Sequence, residues 1–491
     1  MAKPRSVIAR AKNQIRRLLP TNRFARSVSV LAGGTAAGQI IVVAASPILT
    51  RLYSPEDFGL LAVYAALLGV LAVIASLRYQ LAIPLPESDE EAASVAVLSL
   101  LVVAGMAGLS ALIVWFWGSS ITILLNVPAL EPYLWLLPVG LALMGVYQVF
   151  SYWAIRVKAF PAIARTKLTQ AISMVGVQLG AFTLGPLALV LGQVTGQAAG
   201  ATTLANVAVR RKWAAFRQVR LANIRWAARR YRRFPIYSSW GGLFNSAGTQ
   251  LPAILFAALF SPAAAGIYML AQRVLGMPMQ LLGKAIADVF FSSASEARRE
   301  GTLGPLVKGI HGKLAQIAMP PVLILVFIGP DLFEWVFGEA WRQAGVFAQW
   351  MAPMVYATFV TSPISTLTSV LEKQIHAVVI QLSLLLARVG GLVVGAAMES
   401  LVIAVALFSL GTVIVKAGFM AWAYSATGNP VSDAIRESWS AFLWALLVTS
   451  PVALAVLLSA SAPLILAAMA IVMTFLTIRY LQLFKAEGEA T

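Results

Sequence analysis

Apolar runs of roughly 20 residues, each long enough to cross a bilayer as one helix, recur from Val28 almost to the end of the chain. In hydrocarbon a segment must satisfy its own backbone N–H and C=O groups, and runs of this length do so as α-helices. Charged residues make up 11 % of the chain, against about 25 % in soluble proteins. The expected fold is therefore an all-α polytopic membrane protein with about fourteen transmembrane helices and no sizeable soluble domain. The first run, Val28–Thr50, exceeds the apolar core of about 7–15 residues that a signal peptide carries, so it reads as a span.

The net charge of +18 is distributed by topology. Eight Lys and Arg precede Ser27, four lie in 156–167, ten in 210–233 and four in 298–313. Lys373, Arg436, Arg479 and Lys485 fall on the same side of the membrane, whereas the opposite loops hold only Arg51 and Arg342. Cytoplasmic loops carry the excess of Lys and Arg, so both termini are expected in the cytoplasm. The basic charge then serves orientation and contact with anionic headgroups, and no nucleic-acid partner is expected. Two basic stretches, Val7–Leu19 and Arg210–Phe234, interleave cations with apolar residues as surface-lying helices do.

A short motif repeats. Leu52-Tyr53-Ser54-Pro55-x-x-x-Gly59 returns as Leu259-Phe260-Ser261-Pro262-x-x-x-Gly266. Each copy is a turn between two apolar runs, as a duplicated membrane unit would leave it, and repeated halves around a midplane site are a common transporter plan. The expected organisation is a basic cytoplasmic tail (1–27), an N-terminal bundle of spans one to six (28–209), a basic linker (210–234), a C-terminal bundle of spans seven to twelve (235–422), and spans thirteen and fourteen with a cytoplasmic tail (423–491).

Five cations fall within or at the ends of spans: Arg78, Arg273, Lys284, Arg388 and Lys416. Arg78, Lys284 and Lys416 lie near cytoplasmic ends and can snorkel. Arg273 and Arg388 sit deep, where a charge must face a wet interior or a counter-ion. Acids are scarcer: Asp288 and Glu372 lie at cytoplasmic edges and Glu399 at an outer one. The simplest arrangement is a hydrated cavity of positive potential, suited to an anionic substrate. Uncharged polar residues line such a cavity or bind helices together, among them the stripes Gln170, Ser173 and Gln178 on span five and Ser238, Gly242, Asn245 and Thr249 on span seven, with Gln272 and Gln381 on the deep arginines' helices. Asp288 is the nearest candidate for ion coupling. No catalytic motif, nucleotide-binding loop or cofactor site is legible. There is no cysteine, and the two histidines, His311 and His376, give no expectation of a metal centre.

Several segments resemble bacterial polysaccharide-biosynthesis flippases of the Wzx type, in the superfamily that includes MATE exporters and the lipid II flippase. They are RLYSPEDFGLLAVYAALLGVLAVIASLRYQLAIPLPESDEEA (Arg51–Ala92), RRFPIYSSWGGLFNSAGTQLP (Arg232–Pro252), AGIYMLAQRVLGMPMQLLGKAIADVFFSSASEA (Ala265–Ala297) and FGEAWRQAG (Phe337–Gly345). The resemblance implies two pseudo-symmetric six-helix bundles plus two C-terminal helices, no enzymatic activity, and a location in the bacterial inner membrane. It implies flipping of an undecaprenyl-diphosphate-linked oligosaccharide to the periplasmic leaflet by alternating access, with polysaccharide polymerase and export machinery as partners. Arg78, Arg273 and Arg388 become candidates for holding the diphosphate, with Lys284 and Lys416 secondary, and spans thirteen and fourteen a candidate groove for the lipid tail. A MATE-type small-molecule exporter and a membrane polymerase or ligase are the alternatives.

Overall fold

The computed structural model describes residues 23–278 and 284–488, and it excludes the side chains of 23–29, 208–212, 278, 284, 285, 288, 289, 291, 292 and 481–488. Most of the basic tail, including Val7–Leu19, thus lies outside the described residues.

Helix follows helix, with no strand among the described residues. The order is α1 (Arg23–Leu52), α2 (Pro55–Ile74), α3 (Asp89–Leu124), α4 (Leu136–Arg156), α5 (Phe160–Gly180), α6 (Pro186–Arg217), α7 (Leu221–Arg230), α8 (Ser239–Leu259), α9 (Pro262–Pro278), α10 (Lys284–Glu300), α11 (Leu303–Phe337), α12 (Arg342–Ile364), α13 (Leu367–Val370), α14 (Gln374–Ala397), α15 (Leu401–Ala426), α16 (Val431–Leu457) and α17 (Ala462–Gly488). Ten helical segments among the described residues are long and apolar enough to cross a membrane, and the protein is a multi-pass membrane protein. The other expected spans fall on α5, α6, α9 and α12, which do not meet that standard of length and apolarity.

The chain divides into two compact units: residues 1–49, 64–124 and 128–250 form one, and 50–63, 125–127 and 251–491 the other. In the first unit α6 packs along α5 and α4, and α3 along α4 and α7. The glycine stripe of α6 lets α5 approach closely: Gly196 faces the Gln170 carbonyl, and the amide of Gln178 donates to the Leu189 carbonyl at 3.1 Å. Part of the polar stripe on α5 is thus helix-to-helix packing. In the second unit the main pairings are α11 with α12 and α16, α14 with α15, and α12 with α15. An aromatic group gathers there: the ring of Phe256 lies 4.8 Å from Tyr268 and 5.5 Å from Phe347, and Tyr268 meets Phe408 edge-on at 6.0 Å.

The repeated motif forms two helix starts. Ser54 caps α2 by accepting from the Asp57 N–H at 3.2 Å, and the Asp57 carboxylate returns a bond to the Ser54 N–H at 3.0 Å. In the second copy Ser261 caps α9 by accepting from the Ala264 N–H at 3.2 Å. The proline after each serine stands at the first helical position, where its missing N–H costs nothing. Both copies belong to the second unit, and they pack on each other reciprocally. A Cβ at Gly59 would collide with the Pro262 carbonyl, and one at Gly266 with the Pro55 carbonyl and, at 2.8 Å, with the Gly59 nitrogen. The glycine of each repeat thus receives the proline carbonyl of the other, a local two-fold contact made of backbone.

Trp341 closes over the first turn. Its indole N–H donates to the Thr50 carbonyl at 2.9 Å, and its ring meets Phe58 edge-on at 4.9 Å. Arg342 beside it is paired with Asp331 at 2.7 Å and with Glu334, and these bonds push its pKa upward.

Replacing either Gly59 or Gly266 by Ala should destabilise the protein by about 1–3 kcal/mol, the usual cost of overpacking a closed contact. Thermal unfolding of the detergent-purified variants reads this, with Gly241→Ala, where a Cβ meets nothing within 4 Å, as the control. Trp341→Phe keeps the ring and loses the bond to Thr50, and should cost about 1 kcal/mol in the same assay.

Candidate functional site

The cations expected to hold a phosphate are distributed over both units, and each unit presents its own constellation.

In the first unit α2 does not run through to residue 83 as the apolar pattern predicts. It ends at Ile74, and Leu77 and Arg78 adopt left-handed backbone conformations with φ of 47° and 64° before a short 3₁₀ turn, Tyr79–Ala82. The interruption has a side-chain cause. Ser76 bonds to Gln80, whose amide donates to Gln148 Oε1 at 3.2 Å, and Gln148 donates in turn to the Ala72 carbonyl at 3.2 Å. These polar groups satisfy one another instead of prolonging the helix. Two consecutive non-glycine residues at positive φ are strained, and such strain persists only where surrounding structure holds it. The Tyr79 hydroxyl adds a bond to the Ala228 carbonyl of α7 at 3.4 Å, tying the turn to the basic linker.

This turn aims the Arg78 side chain at the backbone of Gly242 on α8, so closely that a Cβ there would strike the guanidinium. Arg78 Nε is buried and has no hydrogen-bond partner. On the same face of α8, one and two turns on, the helix packs on α2: the Ser246 hydroxyl donates to the Gly69 carbonyl at 3.1 Å, and Gln250 lies against Gly69. That leaves Asn245 and Thr249 exposed, with the Thr249 hydroxyl bonded back to the Ser246 carbonyl at 2.9 Å.

In the second unit Arg273 rises from α9 to lie over the Phe58 ring, 5.9 Å from its centroid. No carboxylate among the described residues pairs with it. Arg388 on α14 donates from Nε to the Thr412 hydroxyl of α15 at 3.2 Å and stands 5.6 Å over Phe408. Lys416 lies one helical turn beyond Thr412, within electrostatic reach of Arg388, as does Tyr268 of α9. Antiparallel pairing of α14 with α15, secured where Gly391 meets Leu407 and Phe408, brings these groups together. Gln272 and Gln381 are exposed on α9 and α14. Lys284 and Asp288 fall at the start of α10, and their side chains lie outside the described residues.

The structure thus joins Arg388 to the secondary candidate Lys416, sets Arg273 on an aromatic face of the repeat motif, and holds Arg78 in a separate strained turn. The supporting groups were not singled out by sequence: Thr412, Phe408, Tyr268 and Phe58 in the second unit, and Gln80 and Gln148 in the first. Two glutamines in apolar segments are the one signal that was available. His311 forms a further buried polar cluster in the second unit. It is buried inside α11, with Nδ1 2.8 Å from the Tyr424 hydroxyl and Nε2 3.2 Å from the Ser438 hydroxyl.

Chemically, the first unit offers one guanidinium on a turn held by amides, and the second offers two guanidiniums and an ammonium beside a hydroxyl and ring faces. Such a set takes an oxyanion with delocalised charge, a phosphate above all. Gly242→Ala should displace Arg78 and weaken pyrophosphate binding while leaving the amount of folded protein in the membrane unchanged. Binding of pyrophosphate to the purified protein, read by calorimetry, alongside a membrane-fraction immunoblot checks both.

Residues 48–345 match the sequence profile of a family described as polysaccharide biosynthesis protein. Among solved structures, the lipid II flippase MurJ in an inward closed conformation is similar with a TM-score of 0.69, at 12 % identity over 93 % of this chain and 99 % of that one. An inward-facing multidrug-resistance MATE family transporter of the MOP superfamily gives 0.53 at 13 % identity over 81 % and 94 %. A Vibrio cholerae MATE transporter gives 0.52 at 14 % over 82 % and 97 %. These likenesses establish the fold. No curated protein sequence is significantly similar to the chain.

Proposed function

Because the chain belongs to the polysaccharide biosynthesis protein family, we propose that it is a flippase that carries an undecaprenyl-diphosphate-linked oligosaccharide from the cytoplasmic to the periplasmic leaflet of the bacterial inner membrane. The observation that carries this reading is the setting of Arg388 on α14, bonded through Nε to the Thr412 hydroxyl, lying over the Phe408 ring and accompanied on α15 by Lys416 one turn beyond Thr412. A guanidinium and an ammonium on adjacent apolar helices suit a shared polyanion. A lipid-linked diphosphate fits: its head is anionic and too polar to cross hydrocarbon, and its tail stays in lipid. Arg273, set over Phe58, and Arg78, against Gly242, are further holders of the phosphates. Exposed Asn245, Thr249, Gln272 and Gln381 serve sugar hydroxyls.

The fold shared with MurJ, described as a lipid II flippase, supports movement by alternating access. Multidrug transporters share the fold too, but a set of cations is the wrong lining for the organic cations that such carriers export. The excess of Lys and Arg in the loops beside 156–167 and 210–233 supports cytoplasmic termini. Polysaccharide polymerase and export machinery complete the proposed setting.

In liposomes containing a fluorescent undecaprenyl-diphosphate sugar, Arg388→Ala and Arg273→Ala should lower the rate of flipping by roughly tenfold or more, as loss of a charge-assisted contact worth about 1.5–3 kcal/mol dictates. Lys at either position should recover only part, since an ammonium lacks the planar fork. Full transport by both Ala variants overturns the reading. Glu56→Cys, at an exposed site in a chain without cysteine, should react with an impermeant maleimide from outside intact spheroplasts; labelling only after lysis reverses the proposed orientation.

A further inference from the structure

Two concavities of the second unit are lined by neighbouring stretches of the chain, up to Val370 and from Ile375 onward. The first is a hollow of about 330 Å³ lined by Ser295, Arg298, Arg299 and Val370. Ser295, Arg298 and Arg299 are spaced to share a face of α10, and Glu296 and Glu300 occupy the neighbouring face. Arg298 donates to the Val370 carbonyl and lies 3.4 Å from the exposed Glu372 carboxylate. Arg299 is exposed, and no carboxylate among the described residues pairs with it.

The second concavity starts five residues further on. It is a furrow of about 410 Å³ between α14 and α15, its walls made mainly by Ile375, Val379, Ile380, Val415, Phe419 and Trp422. His376 lies over Trp422 at the end near the hollow, their rings 5.0 Å apart and inclined by 30°. From Val415 to Trp422 the furrow runs about 10 Å along α15. Its rim is lipid-facing in character, Ile375 being 78 % and Val379 56 % exposed.

A polar, cationic hollow and an apolar, lipid-facing furrow whose linings lie five residues apart on the chain, at Val370 and Ile375, together fit an amphiphile with a phosphorylated head. We infer that this is a loading site for the substrate lipid before translocation. Arg298 and Arg299 take the diphosphate, and the first isoprene units lie between α14 and α15. The inference rests on the flippase reading above and adds where the lipid waits. A polyprenyl diphosphate suits the site better than a glycerophospholipid. One furrow between two antiparallel helices seats one chain, whereas a phospholipid brings two, and two neighbouring guanidiniums match two linked phosphates. The furrow is lined by α14 and α15 and by no residue of spans thirteen and fourteen, where resemblance alone would put the tail.

Gly418 supplies the test. It lines the furrow, yet a Cβ on it meets nothing within 4 Å, so Gly418→Phe fills the furrow without disturbing the helix pair. The full chain, in nanodiscs containing phosphatidylglycerol, carries a photoreactive phenylalanine at Val379 and is offered undecaprenyl diphosphate. The expected adduct is with undecaprenyl diphosphate in clear excess over phosphatidylglycerol, and it falls with Arg299→Ala. Gly418→Phe should weaken undecaprenyl diphosphate binding by roughly tenfold, through loss of apolar burial. It should leave isopentenyl diphosphate, which has the head without the long tail, unchanged. Equal adducts with both lipids, or an unaltered affinity in Gly418→Phe, overturn the loading site. If undecaprenyl diphosphate binds in an Arg388-dependent way but never labels Val379, the loading site alone fails. If it does not bind the protein at all, the flippase reading fails with it.

Discussion

A positive charge placed among apolar helices must be held by something, and the choice of holder decides what else the charge can do. A carboxylate neighbour cancels the field. A hydroxyl or a ring face orients the cation and leaves its charge in place. Arg273 lies over the Phe58 ring, a partner of the second kind, and Arg388 meets a hydroxyl and a ring face in Thr412 and Phe408. Lys416 beside Arg388 adds to the field. The helix pairing that assembles these groups serves to concentrate positive potential at defined positions.

The first unit solves the same problem differently. Arg78 is delivered by a strained turn that a chain of buried amides maintains, and it presses on a residue with no side chain. Apolar patterning could not reveal this. Residues 58–83 read as one continuous run, and the stop at Ile74 depends on Ser76, Gln80 and Gln148 finding one another across the fold. A local pattern records which residues prefer hydrocarbon, but it holds no information on which polar side chains will meet.

Fold class was legible because length and apolarity of segments are one-dimensional properties, and the bilayer imposes a scale on them. The depth of Arg273 and Arg388 was legible for the same reason. Their partners were not, since Thr412, Phe408 and Phe58 are ordinary residues for a membrane helix until the α14–α15 register and the fold of the Ser54–Gly59 turn bring them to a guanidinium. The polar stripes show the limit most clearly. Gln178 on α5 is buried in packing, whereas Asn245 and Thr249 on α8 remain exposed, and in the sequence the two stripes look alike.

The reciprocal contact between the Ser-Pro turns has a bearing on how such a chain can change over time. Outside these turns the two halves share little visible sequence. Here the backbone of each copy is the mould for the other, carbonyl into glycine in both directions. A methyl group gained by one copy has no side chain opposite that a compensating change can shrink. Each glycine is thus held to a bare α-carbon by the main chain of the other copy, whatever is rewritten around it.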